Sequence, residues 1–431
     1  MTSTVFQHVD KPVIVVVGLG YVGLPLAVAL SREFTTIGLD ISETRIAELR
    51  RGHDRTREIM ADDLAASTLQ LTHSPAECPP AHIYIVTVPT PVDNANHPDL
   101  RMVEAASRTV GAMLDKALTP IVVYESTVYP GVTEDICGPV LEHVSGLTRG
   151  RDFFLGYSPE RINPGDREHT VDRIIKIVAG ENPQVTAELT RVYGAVTSAG
   201  TYEAVSIKAA EAAKVIENAQ RDINIAFMNE ITQIFARMDI SIWDVLGAAR
   251  TKWNFLPFQP GLVGGHCIGV DPYYLSYRAR ELGYEPQIIL AGRSTNDTMA
   301  NWIADELHTR RGAKAGSVLI MGLTFKEDVP DLRNSKVVDL LRRFEWLGHE
   351  VTVHDPLAEH DEAIHEYGIA PDPGALDRRY DLVVVAVAHA SYRELDGGAL
   401  DALLAEGGLL ADPKNIFAGV ATRNDIGRWS L

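Results

Sequence analysis

The sequence predicts an α/β protein in which two doubly wound parallel sheets are joined by a helical central domain. At both ends of the 431-residue chain, short β-branched or apolar runs that end in Gly or an acid alternate with helical segments. This alternation is typical of parallel strands covered by helices on both faces of the sheet. Between these regions, residues 203–238 contain no Pro or Gly and follow a helical pattern that is long for a globular helix. A helix of this length commonly bridges domains or forms a dimer interface, so we expect a dimerisation helix there.

The first sheet is predicted from apolar segments that run into glycine or polar residues. Residues 13–17 are all Val or Ile and lead directly into Gly18, as a buried parallel strand does before a tight turn. A helical stretch follows at 24–31. Further strands are predicted at 36–40, 82–88 and 120–126.

The last third of the chain repeats this pattern loosely. Strands are predicted at 317–322, 350–355 and 381–387, and an amphipathic helix at 335–347. The second of these strands ends in an acid, Asp355, just before Pro356. These features predict a second doubly wound domain.

Composition excludes several classes of partner. The chain carries 58 Asp and Glu against 40 Lys and Arg, and the net charge of -18 argues against nucleic acid or an anionic membrane as a main partner. No stretch approaches the roughly 20 apolar residues of a membrane span. The three cysteines, Cys78, Cys137 and Cys267, form no disulfide framework and no CxxC metal site. We therefore expect a cytoplasmic protein without a metal ion.

A glycine-rich turn after the first strand predicts a dinucleotide site. Gly18, Gly20 and Gly23 match the G-x-G-x-x-G pattern between a strand and a helix, where glycines allow the backbone to approach a pyrophosphate. Asp40 ends the next strand and is placed to bind the ribose 2′-hydroxyl, which favours NAD over NADP. The alternative is a tight turn without a ligand. Arg45, taken alone, is expected to be a solvated helix charge.

Cys267 is the predicted nucleophile. It stands in the run Gly264-Gly265-His266-Cys267-Ile268-Gly269, just before a predicted helix start, and such a position lowers the pKa of a thiol. An enzyme that carries an alcohol through to an acid must hold the aldehyde as a thiohemiacetal before a second hydride leaves. The adjacent His266 is not expected to form a dyad with Cys267, because neighbouring side chains diverge.

Three polar residues are candidates for the chemistry around that thiol. Lys214 and Asn218 lie four residues apart in the long helix and share one face, so an ammonium and an amide there suit an oxyanion. Asp271 follows Cys267 by one helical turn and is placed to hold Lys214 or a water. The alternatives are a snorkelling lysine paired with Glu211 or Glu217, and a carboxylate that only caps a helix.

The ends of two strands supply further candidates. Thr127 lies where ligands bind at the carboxyl edge of such sheets, and is placed to contact nicotinamide or a catalytic water. Glu160 is a candidate base for thioester hydrolysis, and Arg161 a candidate phosphate or sugar contact. The alternatives are a polar strand-end cap at Thr127 and a purely structural loop at Glu160.

Together these motifs resemble the UDP-glucose/GDP-mannose dehydrogenase family of nucleotide-sugar 6-dehydrogenases. The resemblance implies three domains: an NAD domain at 1–202, a helical central domain at 203–312 with the catalytic Cys, and a UDP-sugar domain at 313–431 that closes over UDP. The matching motifs, in chain order, are 18–23, Asp40, Pro89-Thr90-Pro91, Glu125-Ser126-Thr127, Ser158-Pro159-Glu160, Glu211 to Lys214 with Asn218, Gly264 to Cys267 with Asp271, and Gly322 to Lys326 through Arg333.

The resemblance also implies roles for individual residues, residue by residue. The implied catalytic residues are Cys267, Lys214, Asn218, Asp271, Thr127 and Glu160. The implied NAD contacts are Gly18, Gly20, Tyr21, Val22, Gly23, Asp40, Arg45, Thr90, Thr127 and Arg333. The implied substrate contacts are Glu160, Arg161, Lys214, Asn218, Arg250, Leu256, Phe258, Gly264 and Lys326. Of these, Arg250 matches an arginine that other branches send into the neighbouring subunit only with a one-residue gap.

One departure from the family pattern narrows the expected substrate. The loop is Glu160-Arg161-Ile162-Asn163-Pro164-Gly165, so Pro164 stands where the UDP-glucose and GDP-mannose branches have a second Glu. This form resembles the N-acetyl-glucosamine and -galactosamine branch. The implied activity is four-electron oxidation of a UDP-N-acetylhexosamine at C6 by a homodimer that uses NAD. Alternatives are the same chemistry on UDP-glucose, a two-electron dehydrogenase of the 3-hydroxyacid type, and a catalytically inactive binding protein.

Overall fold

The computed structural model describes residues 8–93, 95–161, 172–265 and 268–431. The chain divides into two compact units. The first comprises Met1–Glu217 with Tyr273–Tyr284, and the second comprises Asn218–Pro272 with Glu285–Leu431.

The first unit is built on an eight-stranded sheet with the order β3-β2-β1-β4-β5-β6-β7-β8. Its neighbouring strands are parallel except β6 and β7, which are antiparallel. The order reverses between β1 and β4, so the carboxyl edge there is the topological switch point at which such sheets bind ligands. The strands are β1 Val13–Val17, β2 Thr35–Leu39, β3 Gln70–Thr72, β4 Ile83–Val86, β5 Ile121–Tyr124, β6 Phe154–Tyr157, β7 Lys176–Gly180 and β8 Thr201–Glu203.

Helices cover this sheet. Every residue of the first helix is buried, because its sequence GLPLAVALS is apolar on all sides and packs into the core beneath the glycine-rich turn. A π-helical segment, Val132–Cys137, leads into the fifth helix. The helices are α1 Gly23–Ser31, α2 Glu43–Arg50, α3 Ala61–Ala66, α4 Arg101–Met113, α5 Gly138–Ser145 and α6 Pro183–Gly194, followed by the long α7, Ile207–Ala236.

The second unit contains a five-stranded parallel sheet with the order β10-β9-β11-β12-β13. Its strands are β9 Ser317–Met321, β10 Glu350–His354, β11 Tyr380–Val385, β12 Leu404–Ala411 and β13 Gly427–Trp429. The remaining helices are α8 Ile242–Ala249, α9 Asp271–Glu281, α10 Gln287–Arg310, α11 Val337–Trp346, α12 His360–Tyr367, α13 Ala390–Arg393 and α14 Gly397–Leu403.

The predicted fold class is confirmed: two Rossmann-like sheets are connected through helices, and α7 spans 30 residues. The long helix begins at Ile207 and not at residue 203, because Thr201–Glu203 pairs with β7 as an edge strand. Six strands were not predicted, since several of them are short or begin with polar residues: β3, β6, β7, β8, β12 and β13. The domain borders remain predictions. Across the described ranges, none of the helices combines the length and apolarity needed to cross a membrane.

Candidate active site

The glycine-rich turn requires glycine at two of its three positions. Gly18 has φ +94, and its N–H donates to Leu39 O at 2.8 Å. A Cβ at Gly23 would lie 1.9 Å from Gly18 O, so α1 approaches the turn too closely for any side chain. At Gly20, by contrast, a Cβ would meet nothing within 4 Å. Gly20 therefore leaves backbone open to a ligand, whereas Gly18 and Gly23 shape the turn itself.

Asp40 holds this turn and remains half-buried. Its carboxylate accepts the N–H of Leu19 at 2.8 Å and the N–H of Ser42 at 2.9 Å. A carboxylate has about four lone-pair sites, so acceptor capacity for a ribose hydroxyl remains. The first turn of α1 contains no acidic side chain, which leaves the helix N-terminus favourable for a pyrophosphate. Tyr21 is half-exposed and Val22 is buried beside it.

The sequence context of Arg45 suggests a solvated helix charge, but the structure shows that the residue is buried. The residue is 5% exposed, its Nε donates to Leu19 O at 2.9 Å, and its Nη2 pairs with Asp54 at 2.7 Å. Its Nη1 has no hydrogen-bond partner within the described part of the chain. Arg45 therefore supports the glycine-rich turn from below through the carbonyl of Leu19.

Thr90 and Thr127 are brought together at the carboxyl edge of the first sheet. The hydroxyl of Thr90, which follows β4, donates to the carbonyl of Thr127, which follows β5, at 2.6 Å. Tyr274 fixes Thr90 in turn, because its hydroxyl donates to Thr90 O at 2.8 Å. Thr127 is thus part of a cross-strand arrangement and not an isolated strand-end cap.

A buried ion pair lies beside Glu160, the candidate base. Glu160 is buried and lies three residues beyond the end of β6. Nearby, Lys176 Nζ donates to Glu125 Oε2 at 2.7 Å, and the hydroxyl of Tyr193 donates to Glu125 Oε1 at 2.5 Å. Burial raises the pKa of Glu125, Lys176 opposes the rise, and the charge of Glu160 adds to it. Lys176 was not predicted from the sequence, because one Lys at the start of an apolar strand gives no signal of its partner.

Arg161 forms specific contacts at the mouth of this loop. Its Nη2 pairs with Glu217 at 2.8 Å, and its Nη1 donates to Ile175 O at 3.1 Å. Glu217 is therefore engaged by Arg161. The rest of the 160–165 loop, including Pro164, on which the predicted substrate preference rests, lies outside the described residues.

Within the first unit, α7 presents a buried carboxylate and a buried lysine. Glu211 accepts the N–H groups of Gly131 and Thr133 at 2.6 and 2.9 Å. Burial outweighs these two donors and raises the pKa of Glu211 to about 7. Lys214, one turn further on, is 7% exposed. The interpretation of Lys214 as a lysine that snorkels to water is therefore wrong.

Asn218 and Asp271 form a buried pair in the second unit. The amide of Asn218 donates to Asp271 Oδ2 at 2.5 Å, and Asp271 is 1% exposed at the first residue of α9. Asp271 is thus both the helix-start carboxylate and a partner of a predicted catalytic side chain. Cys267 and His266 lie outside the described residues.

The two described thiols are unsuited to nucleophilic chemistry. Burial raises the pKa of Cys78 to about 11 and that of Cys137 to about 12, so neither forms an appreciable thiolate near neutral pH. This leaves the nucleophile prediction on Cys267.

The predicted substrate loop packs on a second loop of the same unit. A Cβ at Gly264 would lie 2.6 Å from Asn334 O, and one at Gly265 would lie 2.8 Å from the ring of Phe325. Asn334 Nδ2 also donates to Gly265 O at 3.0 Å. The two glycines therefore permit close contact with the loop that carries Lys326. Of the remaining predicted contacts, Phe258 is half-buried, and Leu256 and Arg250 are exposed.

The second loop carries Lys326 and Arg333. Lys326 is half-buried, five residues beyond β9. Arg333 is exposed and pairs with Asp331 through two nitrogens, with Nη2–Oδ2 at 2.5 Å and Nε–Oδ1 at 3.0 Å.

Lys414 is a basic residue that the sequence alone did not single out. It follows β12 at the carboxyl edge of the second sheet, and its Nζ donates to Pro260 O on the substrate loop at 3.2 Å. Burial lowers the pKa of Lys414. The strand before it was not predicted, so the carboxyl-edge position of Lys414 was hidden.

Three consecutive segments match the domains of one enzyme family. The matches are to the NAD binding domain of the UDP-glucose/GDP-mannose dehydrogenase family at residues 13–197, to its central domain at 208–298, and to its UDP binding domain at 319–419. The chain belongs to this family. It is accordingly an NAD-dependent nucleotide-sugar dehydrogenase. The family resemblance of the sequence motifs is confirmed, and the 3-hydroxyacid and inactive alternatives are not supported.

Curated relatives agree over nearly the whole chain. A UDP-N-acetyl-D-glucosamine 6-dehydrogenase from Pseudomonas aeruginosa is 51% identical over 388 residues, covering 89% of this chain and 92% of that protein. Another from Salmonella typhi is 47% identical over 393 residues, covering 90% and 92%. An NDP-N-acetyl-D-galactosaminuronic acid dehydrogenase from Ralstonia solanacearum is 30% identical over 405 residues, covering 90% and 93%.

Solved structures of the family share the fold. A UDP-D-ManNAc dehydrogenase from Pyrococcus horikoshii has a TM-score of 0.85 at 25% identity, covering 96% of this chain and 98% of that one. A UDP-glucose dehydrogenase from Pyrobaculum islandicum has a TM-score of 0.82 at 27% identity, covering 93% and 94%.

Proposed function

We propose that this enzyme oxidises the C6 hydroxymethyl group of UDP-N-acetyl-D-glucosamine to a carboxylate. The observation that carries the proposal is the gradient of identity: 51% and 47% to proteins named for this activity, against 30% to one named for an N-acetyl-galactosaminuronic acid. The reaction consumes the alcohol, two NAD⁺ and one water, and yields the carboxylate, two NADH and three protons. UDP-glucose remains the alternative substrate.

The first unit supplies the NAD side of the site. NAD, when bound, accepts one hydride from C6 in each of two oxidations. The backbone around Gly20 and the N-terminus of α1 hold the pyrophosphate, and Asp40 holds the ribose. Arg45 keeps the turn in shape through Leu19, and Thr90 orients Thr127 at the strand edge.

Cys267 is the proposed nucleophile, and this assignment rests on the sequence. Its thiolate adds to the aldehyde carbon and forms a thiohemiacetal, which loses the second hydride and becomes a thioester. Water then attacks the thioester, the C–S bond breaks, and the carboxylate leaves while the thiol is restored. Glu160 is the proposed base for this water.

Lys214 and Asn218 are proposed to stabilise the oxyanions of both tetrahedral species. Their spacing of four residues on α7 supports a shared face, and the burial of Lys214 supports a low-dielectric setting. Asp271 holds Asn218 by a hydrogen bond, so the amide presents a fixed orientation.

The second unit is proposed to bind UDP and the sugar. Lys326 and Lys414 follow two strands, β9 and β12, at the carboxyl edge of the second sheet and supply positive charge for the diphosphate. Gly264 lets the backbone approach the sugar, and Phe258 and Leu256 line the substrate loop. Three arginines are proposed to contact ligands: Arg161 and Arg250 the substrate, and Arg333 the NAD.

We also propose a cytoplasmic homodimer. Exposed apolar residues recur on one face of the second half of α7 and beyond it: Phe227 is 55% exposed, Ile234 48% and Met238 58%. A face of this kind on a long helix is suited to a second copy of the chain. Light scattering on the purified protein tests this, and a monomeric mass at micromolar concentration would contradict it.

The first experiment counts NADH formed per UDP-N-acetyl-D-glucosamine consumed, with excess NAD⁺. Two NADH per sugar are expected. One NADH per sugar would contradict the four-electron route and the role of Cys267. The matched variants are Cys267→Ser, which should form no acid, and Cys78→Ser, which should form acid as the wild type does.

A further inference from the structure

The acid that directly follows β10 accepts four backbone hydrogen bonds. Asp355 Oδ2 accepts the N–H groups of Leu323 at 2.5 Å and Thr324 at 2.9 Å. Its Oδ1 accepts the N–H groups of Leu357 at 2.8 Å and Ala358 at 3.0 Å. These four backbone donors already match the roughly four lone-pair sites of a carboxylate, and a neighbouring imidazole crowds Oδ2 further, so no place remains for a ribose hydroxyl. Its role is to fix backbone.

His389 lies against this carboxylate and reaches both ends of the loop that follows β9. The residue is 1% exposed. Its Nδ1 accepts the N–H of Asp328 at 3.0 Å, so the ring proton resides on Nε2. Nε2 faces Asp355 Oδ2 at 3.2 Å and Thr324 Oγ1 at 3.3 Å. One imidazole therefore bonds to residues on either side of Lys326.

Further contacts fix the loop between those two points. The hydroxyl of Thr324 donates to Lys326 O at 3.1 Å. Asp328 adopts a left-handed φ of 59, and its carboxylate accepts the N–H of Ala390 at 2.9 Å. The backbone around Lys326 thus has a defined course that depends on His389 and Asp355.

We infer that His389 is a positioning residue for nucleotide binding: by bridging Asp355, Thr324 and Asp328, it holds the 323–328 loop so that Lys326 is presented to the diphosphate of UDP. The inference rests on the proposed role of Lys326. His389 is too buried to touch the nucleotide itself, so it acts through the loop and not through direct contact.

Calorimetric titration of the full-length protein with UDP, and separately with NAD, tests the inference. His389→Phe keeps the ring volume but removes the hydrogen bonds of both ring nitrogens, and we expect UDP to bind about tenfold more weakly. His389→Asn retains an acceptor near Nδ1, and His389→Gln retains a donor near Nε2, so both should weaken UDP by a smaller factor. NAD affinity should change less than about twofold in all three.

Two controls separate positioning from general destabilisation. His349 is another buried imidazole, directly before β10, and it contacts His308 and Gly316. The His349→Phe variant should bind UDP like the wild type. The double variant His389→Phe/Lys326→Ala should bind UDP no more weakly than Lys326→Ala, because His389 acts through Lys326.

The outcomes distinguish the inference from its premise. If Lys326→Ala binds UDP as the wild type does, the proposed role of Lys326 is wrong and the inference falls with it. If Lys326→Ala weakens UDP binding but His389→Phe does not, or if the two effects add fully, only the inference about His389 is overturned. Equal losses in His389→Phe and His349→Phe would overturn it as well.

Discussion

The two Rossmann-like sheets begin with nearly the same turn and use it differently. In the first unit, Gly18 has φ +94, its N–H donates to Leu39 O at 2.8 Å, and Leu19 donates to Asp40. In the second unit, Gly322 has φ +98, and its N–H donates to His354 O at 2.7 Å. The strand, the glycine and the acid are therefore equivalent features of both sheets.

The two turns differ in the element that follows the glycine and in how far the acid is exposed to solvent. In the first unit α1 begins at Gly23, directly after the turn, and Asp40 accepts two backbone N–H groups and stays half-buried. In the second unit α11 begins only at Val337, and Asp355 is buried under His389. An acid directly after a strand thus marks the turn, whereas a helix N-terminus and an accessible acid distinguish the proposed dinucleotide site.

The largest expected effect comes from closing the first turn. Gly23→Ala would place a Cβ 1.9 Å from Gly18 O and 2.3 Å from Thr87 Oγ1, so α1 must shift. We expect NAD affinity to fall by at least about a hundredfold, since the N-terminus of α1 is proposed to hold the pyrophosphate. Calorimetry with NAD and with UDP measures this, and UDP binding should persist.

Gly20→Ala is the matched control for that change. A Cβ there meets no protein atom within 4 Å, so the free energy of unfolding should stay within about 0.5–1 kcal/mol of the wild type. Unchanged NAD binding in Gly23→Ala would show that the turn is not the dinucleotide site.

The second effect should appear as stability of the second sheet. Asp355→Asn replaces an acceptor by an NH₂ group that faces backbone N–H donors, and we expect a loss of roughly 3–5 kcal/mol. Denaturant unfolding gives the value. A loss below about 1 kcal/mol would mean that Asp355 does not fix the turn.

Two carboxylates, Glu211 in the first unit and Asp355 in the second, should contribute to the pH dependence of stability with opposite signs. The pKa of Glu211 is raised to about 7 from its usual 4.5. As the pH rises, the unfolded state therefore loses this proton before the native state does. Stability from this group falls as pH rises from about 4.5 to 7, by up to about 3 kcal/mol. Burial raises the pKa of Asp355, but hydrogen bonds from His389, Leu323 and Thr324 lower it by more, so the net shift is downward. The stability that Asp355 contributes is therefore lost as the pH falls below about 4.

Unfolding measured from pH 4 to 8 checks the first sign. Glu211→Gln cannot titrate and should remove the part of the slope between pH 4.5 and 7. A variant that keeps the full wild-type slope would assign that slope to another group.

Local sequence was sufficient to recognise the parts of the candidate site that depend on local geometry. Gly18, Gly23 and Asp40 could be recognised because a tight turn between a strand and a helix demands those residue types at that spacing. Arg45 was misjudged and His389 was overlooked, since their roles depend on partners that are distant in sequence, Leu19 at the turn and Asp355 on another strand. Lys176 and Lys414 were hidden for the same reason, because burial and pairing arise only when strands assemble.

The smallest expected effect tests the accessible acid. Asp40→Asn keeps one acceptor for Leu19 or Ser42, so its cost in stability should be about 1 kcal/mol and well below that of Asp355→Asn. NAD affinity should fall about tenfold, or roughly 1.4 kcal/mol, while UDP affinity should not change. Calorimetry on both variants gives a crossed pattern: Asp40→Asn loses NAD binding more than stability, and Asp355→Asn loses stability more than NAD binding. If both variants lost the same quantities in the same proportion, burial would not distinguish a ligand-binding acid from a structural one in this protein.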